Sequence, residues 1–203
     1  MIRLDIQGAH TQLCSTLCAK CPQGPAGCCK APPHMDWSDV GRVVALAHDG
    51  RDFLLARIAR KDLLPREGGL ELRRVKRREA PTEPMERKCV FHGAGGCTIA
   101  PSMRPATCNY FLCEDTFIEG GERKGERSAV LARQAHGALR AVYERWDAAL
   151  SARIAETFPE GPAWDAAFLD WLGEAFVGLE AASGTELSAL PVSDENRQAV
   201  EER

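Results

Sequence analysis

No apolar stretch in these 203 residues approaches the ~20 needed to cross a bilayer, so no membrane-spanning helix is expected. The opening run MIRLDIQGAHTQL lacks both a long apolar core and a small-residue cleavage pattern, which argues against a secretory signal. A cytoplasmic location, where thiols stay reduced, is therefore expected. Neither sign of charge dominates. The formal net charge is −3, which gives no global reason to expect a nucleic-acid or membrane partner. There is no Gly-rich phosphate loop, no nucleophile elbow, no Ser/His/Asp arrangement and no internal repeat. Acids are abundant, but their surroundings single out no pair. No catalytic residue is assigned, and whether the chain is an enzyme stays open.

Hydrophobic residues make up 44%, and a chain of this length can bury a large core without covalent staples. The pattern predicts an α+β fold, mostly α. Residues 2–6 alternate like a short strand. Asp36 or Ser38 caps a helix through about His48, ended by Gly50. A second helix spans 52–63, and Leu70, Leu72 and Val75 suggest an exposed strand. A long helix from about Ser128 to Thr157 carries Leu131, Ala135, Leu139, Val142, Trp146, Ala149 and Ile154 as its apolar stripe. A further helix runs from about Ala163 to Ala181. The expected organisation is a turn-rich cysteine domain over 1–120, a helical hairpin over 121–182 packed on it, and a polar tail over 183–203.

Against those absences stand nine cysteines in two clusters. The first is Cys14, Cys18, Cys21, Cys28 and Cys29; the second is Cys89, Cys97, Cys108 and Cys113. Fifty-nine residues without a cysteine separate them. An odd count fits a disulfide framework poorly, and reduced clustered thiols beside Gly and Pro turns point to metal binding. Cys14-x3-Cys18-x2-Cys21 can wrap one small object with three sulfurs. If Cys28 and Cys29 lie in extended chain, they point to opposite faces. Gly95-Gly96-Cys97 reads as a turn presenting a sulfur. Pro105 suits a first helical position, which puts Cys108 in a first turn where amides favour a thiolate. Cys108 and Cys113 lie about 140° apart on an ideal helix, so the helix ends before Cys113 or the two serve different places. Neither cluster looks self-sufficient, so the two are expected to meet in space. Metal binding would then be coupled to folding.

In order along the chain, Cys18-x2-Cys21, Cys28-Cys29, Cys89-Val-Phe, Gly96-Cys97-Thr-Ile and Arg104-Pro-Ala-Thr-Cys108 resemble the bacterial and archaeal cysteine-cluster proteins described as zinc- or iron-chelating, the CxxCxxCC family. Trp37-Ser38-Asp39-Val40 resembles the family segment after the double cysteine. The likeness covers about residues 14–113. Six residues, Pro22 to Gly27, separate Cys21 from the pair where two are usual, which leaves open which of Cys14, Cys18 and Cys21 are ligands. The resemblance implies metal binding. The related flagellin lysine methylases carry a similar cysteine domain associated with an iron–sulfur cluster, but the rest of such an enzyme is not seen here.

A three-cysteine run with a distant fourth thiol favours an iron–sulfur cluster over zinc, and nine thiols allow two metal sites. The preferred role is redox, or support of a protein-modification reaction. The alternative is a zinc-stabilised interaction module acting through a protein partner without catalysis. Arg104 is a candidate cofactor-binding residue, since a guanidinium near an anionic thiolate centre offsets its charge. His92 and His34 are secondary ligand candidates, more simply read as polar loop residues; His48 and His136 read as structural. The Cys14–Cys21 spacing also matches radical S-adenosylmethionine enzymes, but the βα repeats of their barrel are absent. The basic run Arg73–Arg78 reads as a solvated strand edge rather than a nucleic-acid surface.

Overall fold

The computed structural model describes residues 2–5, 9, 11–21, 24, 26–78 and 85–188. Strands β1 (Ile2–Asp5) and β2 (Gln12–Ser15) pair antiparallel, with Arg3 opposite Cys14. Two 3-10 turns follow, Thr16–Lys20 and Gly27–Lys30. β3 (Met35–Asp36) leads into α1 (Trp37–Leu46) and α2 (Gly50–Ala59). β4 (Leu63–Arg66) and β5 (Gly69–Leu72) join β3 in an antiparallel sheet of order β3-β5-β4. β6 (Arg74–Arg77) and β7 (Glu86–Cys89) form a two-stranded ribbon, and β8 (His92–Gly93) and β9 (Gly96–Cys97) a minimal hairpin. The chain then turns helical: α3 (Ala106–Tyr110), α4 (Glu114–Glu119), α5 (Arg127–Thr157) and α6 (Ala166–Ser188). The architecture is α+β with small antiparallel sheets and more helix than strand.

Of the two possible caps for α1, Asp36 is the one used. Its Oδ1 accepts from the Asp39 amide at 2.9 Å and from the Ser38 hydroxyl at 2.6 Å. Gly50 does not end this helix, as its position suggested. It opens α2, and its amide donates to the Ala47 carbonyl at 3.0 Å. A side chain there would meet the Val43 carbonyl at 1.9 Å, so backbone proximity explains the glycine. The strand over Leu70 and Leu72 is not exposed: both side chains are buried, and Val75 belongs to the separate strand β6.

The core lies where α1, α5 and α6 meet. Val40 and Val43 of α1, Leu139 and Leu150 of α5, and Leu169, Leu172 and Phe176 of α6 are fully enclosed. Trp37 stacks on Trp164 at 5.4 Å between ring centroids and meets the edge of Phe168. On α5, the positions expected at Leu131 and Ala149 are only half-buried. Ala132, Tyr143 and Leu150 take the core face instead, because α5 is covered on a broader front than one stripe. α6 extends to Ser188, so the polar tail expected from 183 begins inside a helix; residues 189–203 lie outside the described residues.

α6 packs most closely on α1, and small residues on each helix permit this. A Cβ on Gly41 would come within 2.8 Å of Phe176 Cβ, and one on Gly173 within 2.7 Å of Val44 Cγ1. Gly41→Ala is expected to destabilise the fold by about 1–3 kcal/mol through overpacking. Gly137→Ala, on an exposed stretch of α5 with nothing within 4 Å, is expected to be neutral or to stabilise by up to about 1 kcal/mol. Denaturant titration of the two variants checks both signs.

Candidate functional site

All nine cysteines are free thiols. The fold gathers most of them from both chain segments. The Gly27–Lys30 turn packs against β7, which ends in Cys89. Lys30 ties the two together through an ion pair with Glu86 at 2.9 Å. α3, carrying Cys108, packs against β2, carrying Cys14.

The Cys28–Cys29 pair is not extended, as the opposite-face reading required. It sits on a 3-10 turn entered through Gly27 at φ 47°, and the two thiols hydrogen-bond to each other. That bond lowers Cys28 to about 6 and raises Cys29, so the proton stays on Cys29. Burial raises Cys29 further, followed by the negative charges of Cys28, Cys89 and Cys108. Burial raises Cys89, with Cys97 adding to the shift. Cys28, Cys29, Cys89, Cys97 and Cys108 thus form one electrostatic neighbourhood.

His92 belongs to this group as well. It is 5% exposed, sits opposite Cys97 in the β8–β9 hairpin, and its charge lowers Cys28. It therefore sits buried on a strand rather than in the polar loop of the simpler reading. Cys97 is presented by the turn through Gly96, at φ 101°, and is exposed. His34 is exposed and lies against Gly69 on another part of the surface. His48 is exposed beyond the end of α1 and pairs with Asp49 at 2.7 Å. His136 lies within α5, ringed by Tyr110, Phe111 and Phe117.

A second neighbourhood holds Cys18, Cys21 and Cys113, with Cys28 on its border. Cys18 is exposed, yet the protein around it raises it by partial desolvation, and the charges of Cys113, Cys28 and Cys21 raise it further. Cys21 Sγ lies 3.4 Å from the point where a Cβ on Gly27 would stand. Cys113 Sγ and Thr116 Oγ1 are 3.2 Å apart. α3 ends at Tyr110 and Cys113 caps α4, so the helix ends before Cys113, the first of the two alternatives their spacing allowed. Cys14, exposed on β2, is not tied to either group by any such interaction among the described residues.

Pro105 caps α3 rather than opening it, which leaves Cys108 in the first turn. The expected preference for a thiolate there is reversed. Cys108 keeps solvent access, yet the protein packed around it pushes it up, followed by the charges of Asp39, Cys97, Cys89 and Cys28, and these outweigh one short helix's amides.

The loop that positions Cys108 is held by a pair that the sequence did not single out. Arg42 is fully enclosed. Its Nη1 donates to the Ser102 carbonyl at 3.1 Å, and its Nη2 to Asp39 Oδ1 at 3.3 Å and to the Arg104 carbonyl. Asp39 Oδ1 accepts from the Ala106 amide at 2.6 Å. Asn109 Nδ2 donates back to the Pro101 carbonyl at 2.9 Å. Burial and the neighbouring Asp36 push Asp39 up to about 8, against the pull of Arg42 and the Ala106 amide. The only trace of this clamp in the sequence is Arg42 one turn after Asp39 on the same helix.

Arg104 is half-buried. Its Nε donates to the Ile99 carbonyl at 2.8 Å, and it makes no hydrogen bond to sulfur among the described residues. Among those residues no three Cys, His, Asp or Glu side chains close into a metal-ligating geometry. The thiols are neighbours at electrostatic range rather than a closed ligand set. No family model, no curated protein and no solved structure matches this chain.

Proposed function

We propose that the chain binds an iron–sulfur cluster through its clustered cysteines and serves a redox role or supports a protein-modification reaction. The observation that carries this reading is the approach of two cysteine segments separated by 59 cysteine-free residues: the turn holding Cys28 and Cys29 packs on β7, which ends in Cys89, and the negative charges of Cys89 and Cys108 raise Cys29. Thiols raised in this way keep their protons at neutral pH, so the group holds sulfur donors that ionise only when a cation is present. A bound metal inverts this balance, because a coordinating thiol is deprotonated outright.

The donor set is soft sulfur, which suits iron–sulfur clusters and zinc. Cys28 or Cys29, with Cys89, Cys97 and Cys108, would hold the first group. Cys18, Cys21 and Cys113 would contribute to a second. The chain's own residues would set the surroundings: the Asp39–Arg42 clamp fixes the Cys108 loop, and Arg104 would offset thiolate charge from the same loop. A cluster would supply electron transfer; zinc would supply a structural cross-link.

Iron, zinc and acid-labile sulfide measured in protein purified without oxygen or chelator test the proposal. Brown protein with matching iron and sulfide is the expected result. Colourless protein with stoichiometric zinc would replace it with the zinc-stabilised interaction module. Folded protein containing neither metal would overturn both readings.

A further inference from the structure

We propose that the exposed face of the β6–β7 ribbon binds the phosphate backbone of duplex DNA. In an antiparallel pair, residues directly opposite share a face, and alternate residues along a strand share it too. Lys76 stands opposite Arg87, and Arg74 lies two residues from Lys76 on the same strand. All three are exposed. None of them forms an ion pair with another described residue, although the chain as a whole is acidic. Like charges placed directly opposite each other weaken a ribbon, and nothing in the fold requires them here.

These cations differ from edge guards. Both strands of this two-stranded ribbon are edges, where charge of either sign deters further pairing, whereas these three positions carry one sign on one face. The ribbon is also held in place from its other side. On that side Lys88 is buried and Glu86 pairs with Lys30, while Cys89, opposite Arg74, is buried at the end of the basic face itself. A face of fixed cations suits a ligand with regularly spaced negative charge. Protein interfaces centre on apolar and aromatic residues, and this face has none among Arg74, Lys76 and Arg87. Single strands are held by aromatic stacking, which is also missing here. A two-stranded ribbon does fit the major groove of duplex DNA, where Lys and Arg contact phosphates. Screening at physiological salt limits the reach of the acidic remainder of the molecule to about 8 Å.

The test is fluorescence anisotropy of the full chain with a short labelled DNA duplex, titrated between about 50 and 200 mM salt. The ribbon variant carries Arg74→Ala, Lys76→Ala and Arg87→Ala together. The control carries Arg60→Ala, Lys124→Ala and Arg127→Ala, the same charge change at exposed positions elsewhere. The expected result is binding that weakens steeply with salt, with the slope of log affinity against log salt falling by roughly 1 for each ribbon contact removed and unchanged in the control. Circular dichroism and metal content, measured on every sample, separate loss of the ribbon from loss of fold or of the metal centre. No binding by the unaltered chain at the lowest salt would overturn the proposal. So would equal losses in ribbon variant and control, tighter binding of single-stranded RNA, or displacement of the duplex by polyglutamate at equal charge, which would mark an acidic protein partner instead.

Discussion

Arg42→Met is expected to lower the unfolding free energy by about 3–5 kcal/mol above about pH 8, where Asp39 is ionised and the change breaks one side of a buried charge pair. The guanidinium has no exposure and satisfies two carbonyls, those of Ser102 and Arg104, besides Asp39. Its removal leaves Asp39 enclosed at 2% exposure without its cation. The pH dependence follows from the sign of the Asp39 shift. Its carboxyl is raised from 3.8 to about 8 in the fold, so the folded state holds the proton that the unfolded chain releases. Its contribution is complete below the unfolded value and is lost as pH rises through about 8. Removing Arg42 removes a lowering influence, so the variant is expected to recover part of its stability on acidification, and to recover more than the unaltered chain does. Denaturant titrations at several pH values measure both. Asp39→Asn combined with Arg42→Met is expected to cost less than the sum of the single changes, since no enclosed charge is left behind. Additive losses would mean that the two residues do not act as a pair.

Cys29→Ser and Cys108→Ser are each expected to reduce retained metal about tenfold or more, while Cys14→Ser leaves it near the original level. Loss of second-shell partners alone typically costs 10–100-fold in metal affinity, and removal of a sulfur donor costs at least as much. Cys29 and Cys108 belong to the neighbourhood in which thiols from distant chain segments influence one another. Cys14 stands apart from it. Cys113→Ser separates one centre from two: loss of only part of the metal marks two sites, and loss of all of it marks one shared site. Because Cys113 also contacts Thr116, circular dichroism must show that α4 survives. Equal metal retention in the Cys14 and Cys108 variants would remove the distinction drawn between these thiols.

The helical elements were legible because their signals are local. Asp36 before Trp37 and the periodicity from Ser128 to Thr157 each report on a few adjacent turns. The end of α1 was misread because Gly50 is a glycine for a long-range reason, the nearness of the Val43 carbonyl, and not for its own conformation. Leu70 and Leu72 were misjudged as exposed because the β3-β5-β4 order, which puts β5 in the centre, is set by tertiary pairing. At the candidate site, cysteine spacing named the thiols but not their groupings. That Cys18 neighbours Cys113 while Cys29 neighbours Cys89 and Cys108 depends on how the turns pack. Arg42 was missed altogether, since an arginine on an amphipathic helix ordinarily faces water. His92 was undervalued for a similar reason: only the hairpin brings it opposite Cys97.

The central claim is that sulfurs from both cysteine clusters share an inorganic centre. X-ray absorption at the edge of whichever metal accompanies the anaerobically purified chain tests it most directly, read together with the Cys29→Ser and Cys108→Ser variants. The account predicts a first shell of sulfur at about 2.3 Å, the usual metal–thiolate distance for zinc and close to that for iron, and a smaller sulfur contribution to that shell in both variants. A metal bound only by oxygen or nitrogen, or a sulfur shell that persists unchanged in both variants, would contradict it.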